Sequence, residues 1–261
     1  GLGHDSECDV TINPDGSVEA KIGSQDLGTG TRTVIAQVVA DTLGLPLDAV
    51  KVEIGKNSLP KSGGSGGSTT IGGISTSSRL AATEALNALC GTVAGRLNTT
   101  AENLEAVGGA IRQVDKPDNK IAWKDACRAM GPMPLTKRGT QTRNEGKAKG
   151  FTNEGVGGVQ IAEVSVDVET GAVTLEELVA VQDCGLIINM KLTESQVFGG
   201  LIMGITSALY EEAVYDAKTG RMLNADMEFY RLAGIKDVGK LRVHMMTTEA
   251  HEKRGVIGIG E

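Results

Sequence analysis

The chain has 261 residues, enough for one large domain or two modest ones, with 40% hydrophobic and only 3% aromatic residues and a net charge of -7. The acidic balance and the lack of a long basic run exclude nucleic acid as the main partner. No run approaches the ~18 apolar residues that a membrane span needs.

In chain order, Cys8 to Ile12 and Val18 to Ile22 flank Asn13-Pro14-Asp15-Gly16-Ser17, which predicts a β-hairpin. Gly28-Thr29-Gly30-Thr31-Arg32-Thr33 follows, and then Val34, Ile35, Val38, Val39 and Leu43 recur at helical spacing. A glycine loop that opens a helix suits an anion, because first-turn N–H groups lack partners and the helix dipole favours negative charge there. The same run serves equally as a capped connection. It is not the dinucleotide fingerprint, since Thr33 stands where the third glycine belongs.

Val50 to Ile54 predicts a strand, and Pro60 to Thr70 a long loop containing Gly63-Gly64-Ser65-Gly66-Gly67-Ser68. No lysine precedes its Ser-Thr, so it is not a P-loop. A helix is expected over about 74–97, with Leu80, Ala81, Ala85, Leu86 and Leu89 on its apolar face. Residues 101–130 read as a short helix, an extended piece and a helix around Trp123. Residues 131–158 read as an irregular polar connection, with Lys137–Lys149 a solvated basic loop. Strands resume from Val159, turn at Asp167–Gly171 and pair back over Val173–Val181. Asp183-Cys184-Gly185 then leads to a helix over about 193–211. Gly199-Gly200 inside that helix costs roughly 1 kcal/mol per glycine against alanine, so a packed helix or a ligand is expected close to its backbone. Tyr215 to Arg221 predicts one more hairpin turn.

Both halves therefore run hairpin, then loop, then helix. The fold class is α+β, with a first lobe over 1–130, a connection over 131–158 and a second lobe over 159–261. Cys8, Cys90, Cys127 and Cys184 lie far apart and His4, His244 and His251 form no cluster with them, so any metal must arrive by other ligands. Cys90 and Cys127 fall in helical patterns and read as buried small hydrophobes. No signal peptide is visible at Gly1-Leu2-Gly3-His4.

Taken together, Gln25 to Thr33, Ser65 to Thr70, Gln160 to Val164, Asp183-Cys184-Gly185, Ser195 to Gly204, Gly220 to Asn224 and the terminal Gly258-Ile259-Gly260-Glu261 resemble the molybdopterin-binding large subunit of the xanthine dehydrogenase and aldehyde oxidase family. The resemblance implies a C-terminal molybdopterin-binding part of a molybdenum hydroxylase, which oxidises an aldehyde or N-heterocycle with water-derived oxygen. It implies that Leu27, Gly28, Thr29 and Gly30 line one side of the pyranopterin, that Gly66, Gly67, Ser68 and Thr70 line another, and that Gln196 reaches the cofactor from the later helix. A polyanionic cofactor asks for many neutral donors, and glycines let the backbone come close. Glu261 is similar to the family's catalytic glutamate, a general base. The implied partners are the rest of the molybdopterin subunit, an iron–sulfur subunit and a flavin subunit carrying FAD. The cytosine-dinucleotide and mononucleotide forms of the cofactor both stay open.

Thr29 stands where many members carry glutamine, in a loop of the bacterial aldehyde-oxidising style. Family large subunits are much longer, so the chain is expected to be a fragment, a cut domain or half of a split subunit, inactive by itself. A non-catalytic cofactor-binding or assembly module and an unrelated phosphate-binding α+β protein are the competing readings.

Overall fold

The computed structural model describes residues 4–142 and 155–259. The chain divides into two compact units, Gly1–Asn153 with Val256–Gly258, and Glu154–Gly255 with Ile259–Glu261.

In the first unit, β1 (Ser6–Ile12) and β2 (Val18–Ile22) form the expected hairpin, in register from Ile12 opposite Val18 to Cys8 opposite Ile22. Strict alternation buries Ser6, Cys8, Val10 and Ile12 on β1 and Val18, Ala20 and Ile22 on β2, so one face of the hairpin is core. The helix α1 (Thr31–Thr42) carries the chain across to β3 (Val50–Ile54), which pairs parallel to β2. Parallel neighbours need such a crossover. The long helix α2 (Thr70–Val93) lies against β1 and α1 and contributes Ile74, Ala81, Ala85, Leu89 and Val93 to the core. It begins one turn earlier than its apolar pattern suggests, because its first turn, Thr70-Ile71-Gly72-Gly73, carries a single apolar side chain. A 3-10 turn over Ala94–Leu97 ends it.

Residues 101–130 hold more strand than expected. A meander of β4 (Leu104–Val107), β5 (Ala110–Gln113) and β6 (Lys120–Ala122) precedes the short α3 (Trp123–Arg128). Trp123 Nε1 donates to the Gly16 carbonyl at 2.8 Å and ties α3 to the β1–β2 turn.

The connection expected over 131–158 is not wholly irregular. Leu135–Gln141 forms β7, antiparallel to β1, giving the sheet order β3-β2-β1-β7. Its apolar signal is weak because it is an edge strand tied by charge. Arg138 Nε and Nη2 donate to Asp9 at 2.6 and 2.8 Å, and Nη1 donates to Glu7 at 3.1 Å. Lys137 therefore belongs to this strand rather than to a solvated loop, and 143–149 lie outside the described residues.

The second unit repeats the plan. β8 (Gly157–Val166) and β9 (Val173–Asp183) form a hairpin, α4 (Met190–Leu209) crosses over, and β10 (Lys240–Met245) pairs parallel to β9. The order β10-β9-β8 matches β3-β2-β1. Leu241, Val243 and Met245 alternate with Lys240, Arg242 and His244 along β10, a strand signal that the sequence reading passed over. The core here is smaller: Ala180, Val197 and Leu201 with Leu178, Val243, Met245 and Ile259 against them. α4 buries Val197, Leu201, Ile205 and Thr206. Among the described residues no atom outside the local helix backbone lies within 4 Å of where a Cβ would sit at Gly199 or Gly200, so no packed helix meets the backbone there. All ten residues of β8 are exposed. The short α5 (Glu249–Glu252) follows β10.

Candidate functional site

The loop between β2 and α1 is organised by Asp26. Its Oδ1 accepts from the Gly28 and Gly30 N–H groups at 3.0 and 3.2 Å, and its Oδ2 from the Arg32 N–H at 3.1 Å. Gly30 is the N-cap of α1, at φ 88, and has no side chain to cap with. The left-handed conformation is open to glycine at little cost, and the capping is done from four residues upstream. Burial pushes the Asp26 carboxyl up, but the N–H groups of Arg32, Gly28, Gly30 and Thr31 together outweigh it and hold the group below the ordinary aspartate range. The anion-receptive helix start read from Gly28–Thr33 is thus occupied by the chain's own carboxylate.

Gln25 joins this loop to the next. The Ser65 N–H donates to Gln25 Oε1 at 2.9 Å, and Ser65 Oγ donates to the Gln25 carbonyl at 2.8 Å. The Gln25 N–H reaches Ser65 Oγ at 3.3 Å, and Ser24 Oγ lies 3.3 Å from the same atom. The two glycine loops, 40 residues apart in sequence, are therefore neighbours.

In the second loop, Gly67 and Ser68 take successive left-handed conformations, at φ 57 and 54. A non-glycine residue there costs of order 1–3 kcal/mol and is characteristic of ligand clamps. Thr70 Oγ1 accepts from the Gly66 N–H at 3.1 Å, and Thr69 Oγ1 donates to the Gly66 carbonyl at 3.1 Å. These bonds fold the loop onto the start of α2. No acceptor meets the Thr70, Ile71 or Gly72 N–H groups among the described residues. The 24-residue α2 thus starts with three open donors, whereas in the first turn of α1 the Arg32 N–H is already taken by Asp26.

A third segment completes this part of the first unit. A Cβ on Gly258, at φ 110, would lie 2.1 Å from the Ser68 carbonyl oxygen, so only glycine fits. Gly258 therefore passes directly over the Gly67–Ser68 turn. In the second unit, Gln182 Nε2 donates to the Ile259 carbonyl at 2.9 Å, and Leu186 N donates to the Gly255 carbonyl at 2.8 Å. Asp183 receives Arg254 and the Gly185 N–H, the latter at 3.1 Å.

Of the residues singled out in the sequence, Leu27, Gly28, Thr29, Gly30, Gly66, Gly67, Ser68 and Thr70 lie on two loops that hydrogen-bond to each other. Gln196 lies in the second unit, on the second turn of α4 and half-buried. Glu261 lies outside the described residues. The sequence reading passed over Asp26, the Gln25–Ser65 pair and Gln182. An aspartate two residues before a Gly-x-Gly that opens a helix is the signal that points to the first. Among the described residues no three His, Cys, Asp or Glu side chains converge to hold a metal ion.

Comparison with known proteins bears on this site. The family model described as molybdopterin cofactor-binding domain matches residues 1–239. The xanthine dehydrogenase molybdenum-binding subunit of Escherichia coli O157:H7 is 31% identical over 235 residues, 89% of this chain and 31% of that protein. The aldehyde oxidoreductase molybdenum-binding subunit of Escherichia coli (strain K12) is 32% identical over 239 residues, 90% of this chain and 30% of that protein. The crystal structure of quinoline 2-oxidoreductase from Pseudomonas putida 86 shares the fold, with a TM-score of 0.85 at 23% identity over 98% of this chain and 33% of that one. The chain spans about a third of the length of these proteins.

Proposed function

The chain belongs to the molybdopterin cofactor-binding domain family, and we propose that it forms part of the cofactor cradle of a molybdenum hydroxylase that oxidises an aldehyde or an N-heterocycle with water-derived oxygen. The family match removes the reading of an unrelated phosphate-binding protein. The observation that carries the proposal is the clasp between Gln25 and Ser65, which sets two glycine loops side by side at the open start of α2.

The donor set suits a pterin phosphate. The N–H groups of Thr70, Ile71 and Gly72, which meet no acceptor among the described residues, and the hydroxyls of Ser68 and Thr70 offer neutral donors at the positive end of a long helix. Leu27, Thr29 and the backbone of Gly28 and Gly30 supply a second, uncharged wall, with Leu27 65% exposed. Gly66 and Gly67 let a flat ring system approach the backbone. Gln196 would add an amide donor and acceptor from α4. The bound cofactor would supply two-electron redox chemistry at molybdenum. Glu261 would act as general base, its carboxylate taking a proton from the water-derived oxygen nucleophile, a task that partial burial favours by raising a carboxyl pKa.

On this reading, iron–sulfur clusters and FAD sit on partner subunits, and the remaining two thirds of a relative's molybdenum subunit complete the cradle. The exposed β8, with Val159, Ile161, Val164 and Val166 each at least half exposed, fits such a partner-dependent unit. The 261-residue chain alone would bind the cofactor weakly and show no turnover. Mass spectrometry of the protein isolated with its native partners tests the proposal. A bound pterin beside an iron–sulfur subunit is expected, and its mass separates the cytosine-dinucleotide form from the mononucleotide. A protein isolated with partners of another class and no pterin would refute it.

A further inference from the structure

We infer that Asp26 is a positioning residue that occupies the backbone donors at the start of α1 with its own carboxylate, so that a polyanionic ligand meets only neutral groups on this loop. The ligand's identity rests on the cofactor reading above; the closure itself does not.

Three backbone donors converge on the two Asp26 oxygens within 3.0–3.2 Å: Gly28 in the loop, Gly30 at the N-cap and Arg32 in the first turn of α1, so an outside anion would have to displace the carboxylate to use them. A second anion placed there would also face the aspartate charge at short range. Arg32, the one cation of the loop, directs Nη1 to the Val52 carbonyl at 2.7 Å and so braces the loop against β3. The second unit shows that a charge is not required for capping as such. At the matching place in the repeated plan, neutral Asn189 caps α4 by accepting from the Leu192 N–H at 3.0 Å. The acidic residue in the first unit does more than end a helix, because it fills three donor positions with a negative charge. Asp26 is also bonded in sequence to Gln25, whose main chain and side chain hold Ser65. Fixing Asp26 therefore fixes the register between the two glycine loops.

The test is hydrogen–deuterium exchange of the peptide spanning Leu27–Val34 in the intact protein, with and without inorganic phosphate. In the wild type this peptide should exchange slowly and ignore phosphate. In Asp26→Ala it should exchange several-fold faster, and phosphate should restore protection by taking the vacated donors. Asp26→Asn, which keeps one acceptor oxygen, should fall between the two. Rescue by an anion separates this role from a merely structural one. Phosphate protection of the wild-type loop, wild-type exchange in Asp26→Ala, or an Asp26→Ala loop that phosphate leaves unprotected would each overturn the inference. Should Asp26→Ala fail to fold, Asp26→Asn and the wild-type phosphate response decide it. Absence of pterin from the wild type would refute the cofactor reading and leave the exchange result standing.

Discussion

Ser65 and Gln25 hold each other by both main chain and side chain: the Ser65 N–H donates to Gln25 Oε1 at 2.9 Å and Ser65 Oγ donates to the Gln25 carbonyl at 2.8 Å. Ser65→Ala removes the hydroxyl bonds and keeps the first. Gln25 is exposed, so the cost to global stability should be small, about 1 kcal/mol in chemical denaturation. Amide exchange in both loops, over 25–33 and 63–70, should nevertheless rise together. A rise confined to one loop would show that the pair does not couple them.

Gly258→Ala should be far more damaging than its exposure suggests. Its Cβ would stand 2.1 Å from the Ser68 carbonyl oxygen, a main-chain atom that cannot swing aside, at a φ of 110. Relief by backbone shift costs about 1–3 kcal/mol, paid by displacing either the Gly67–Ser68 turn or the terminal segment. Thermal unfolding of the intact protein and its pterin content should both fall. An alanine variant with wild-type values in both would contradict the packing.

Asp26 makes the loop sensitive to acid. Its carboxyl is held below the ordinary aspartate value, so its contribution to stability is present in full above about 3.9 and is lost as pH falls through the lowered native value. The stability difference between wild type and Asp26→Asn should therefore be flat at neutral pH and shrink only under acid conditions. A difference that shrinks between neutral pH and 5 would point to another group.

Cys8, Cys90, Cys127 and Cys184 are free and buried. Burial pushes the first two thiols up to about 11 and Cys127 to about 12. At pH 8 they should resist iodoacetamide in the folded protein and react once it is unfolded, because the thiolate is the reactive form. Rapid labelling of any of these four in the native protein, read by peptide mass spectrometry, would contradict their burial.

The first hairpin, α1 and β3 were legible because their apolar spacing is regular and the hairpin turn carries Asp15-Gly16. Their repetition in the second unit was legible from apolar spacing in β8, β9 and α4 and from the turn ending at Thr170-Gly171. β7 was not, because it is pinned by the Arg138 bonds to Asp9 and Glu7 rather than by an apolar face. β10 carries a legible alternation of Leu241, Val243 and Met245 that was passed over. At the site, the glycine loops announced themselves by composition, but their mutual contact depends on Gln25 and Ser65. Which loop offers donors depends on Asp26, whose effect is visible only once its oxygens are seen against the α1 amides.

The most direct test of the central claim pairs turnover with metal content in Glu261→Gln of the intact protein. The account predicts that molybdenum and pterin remain at wild-type levels while aldehyde or N-heterocycle oxidation nearly vanishes. Near-normal turnover in that variant would contradict the assignment of Glu261 as the base, and a wild-type protein carrying no molybdenum or pterin would contradict the cradle itself.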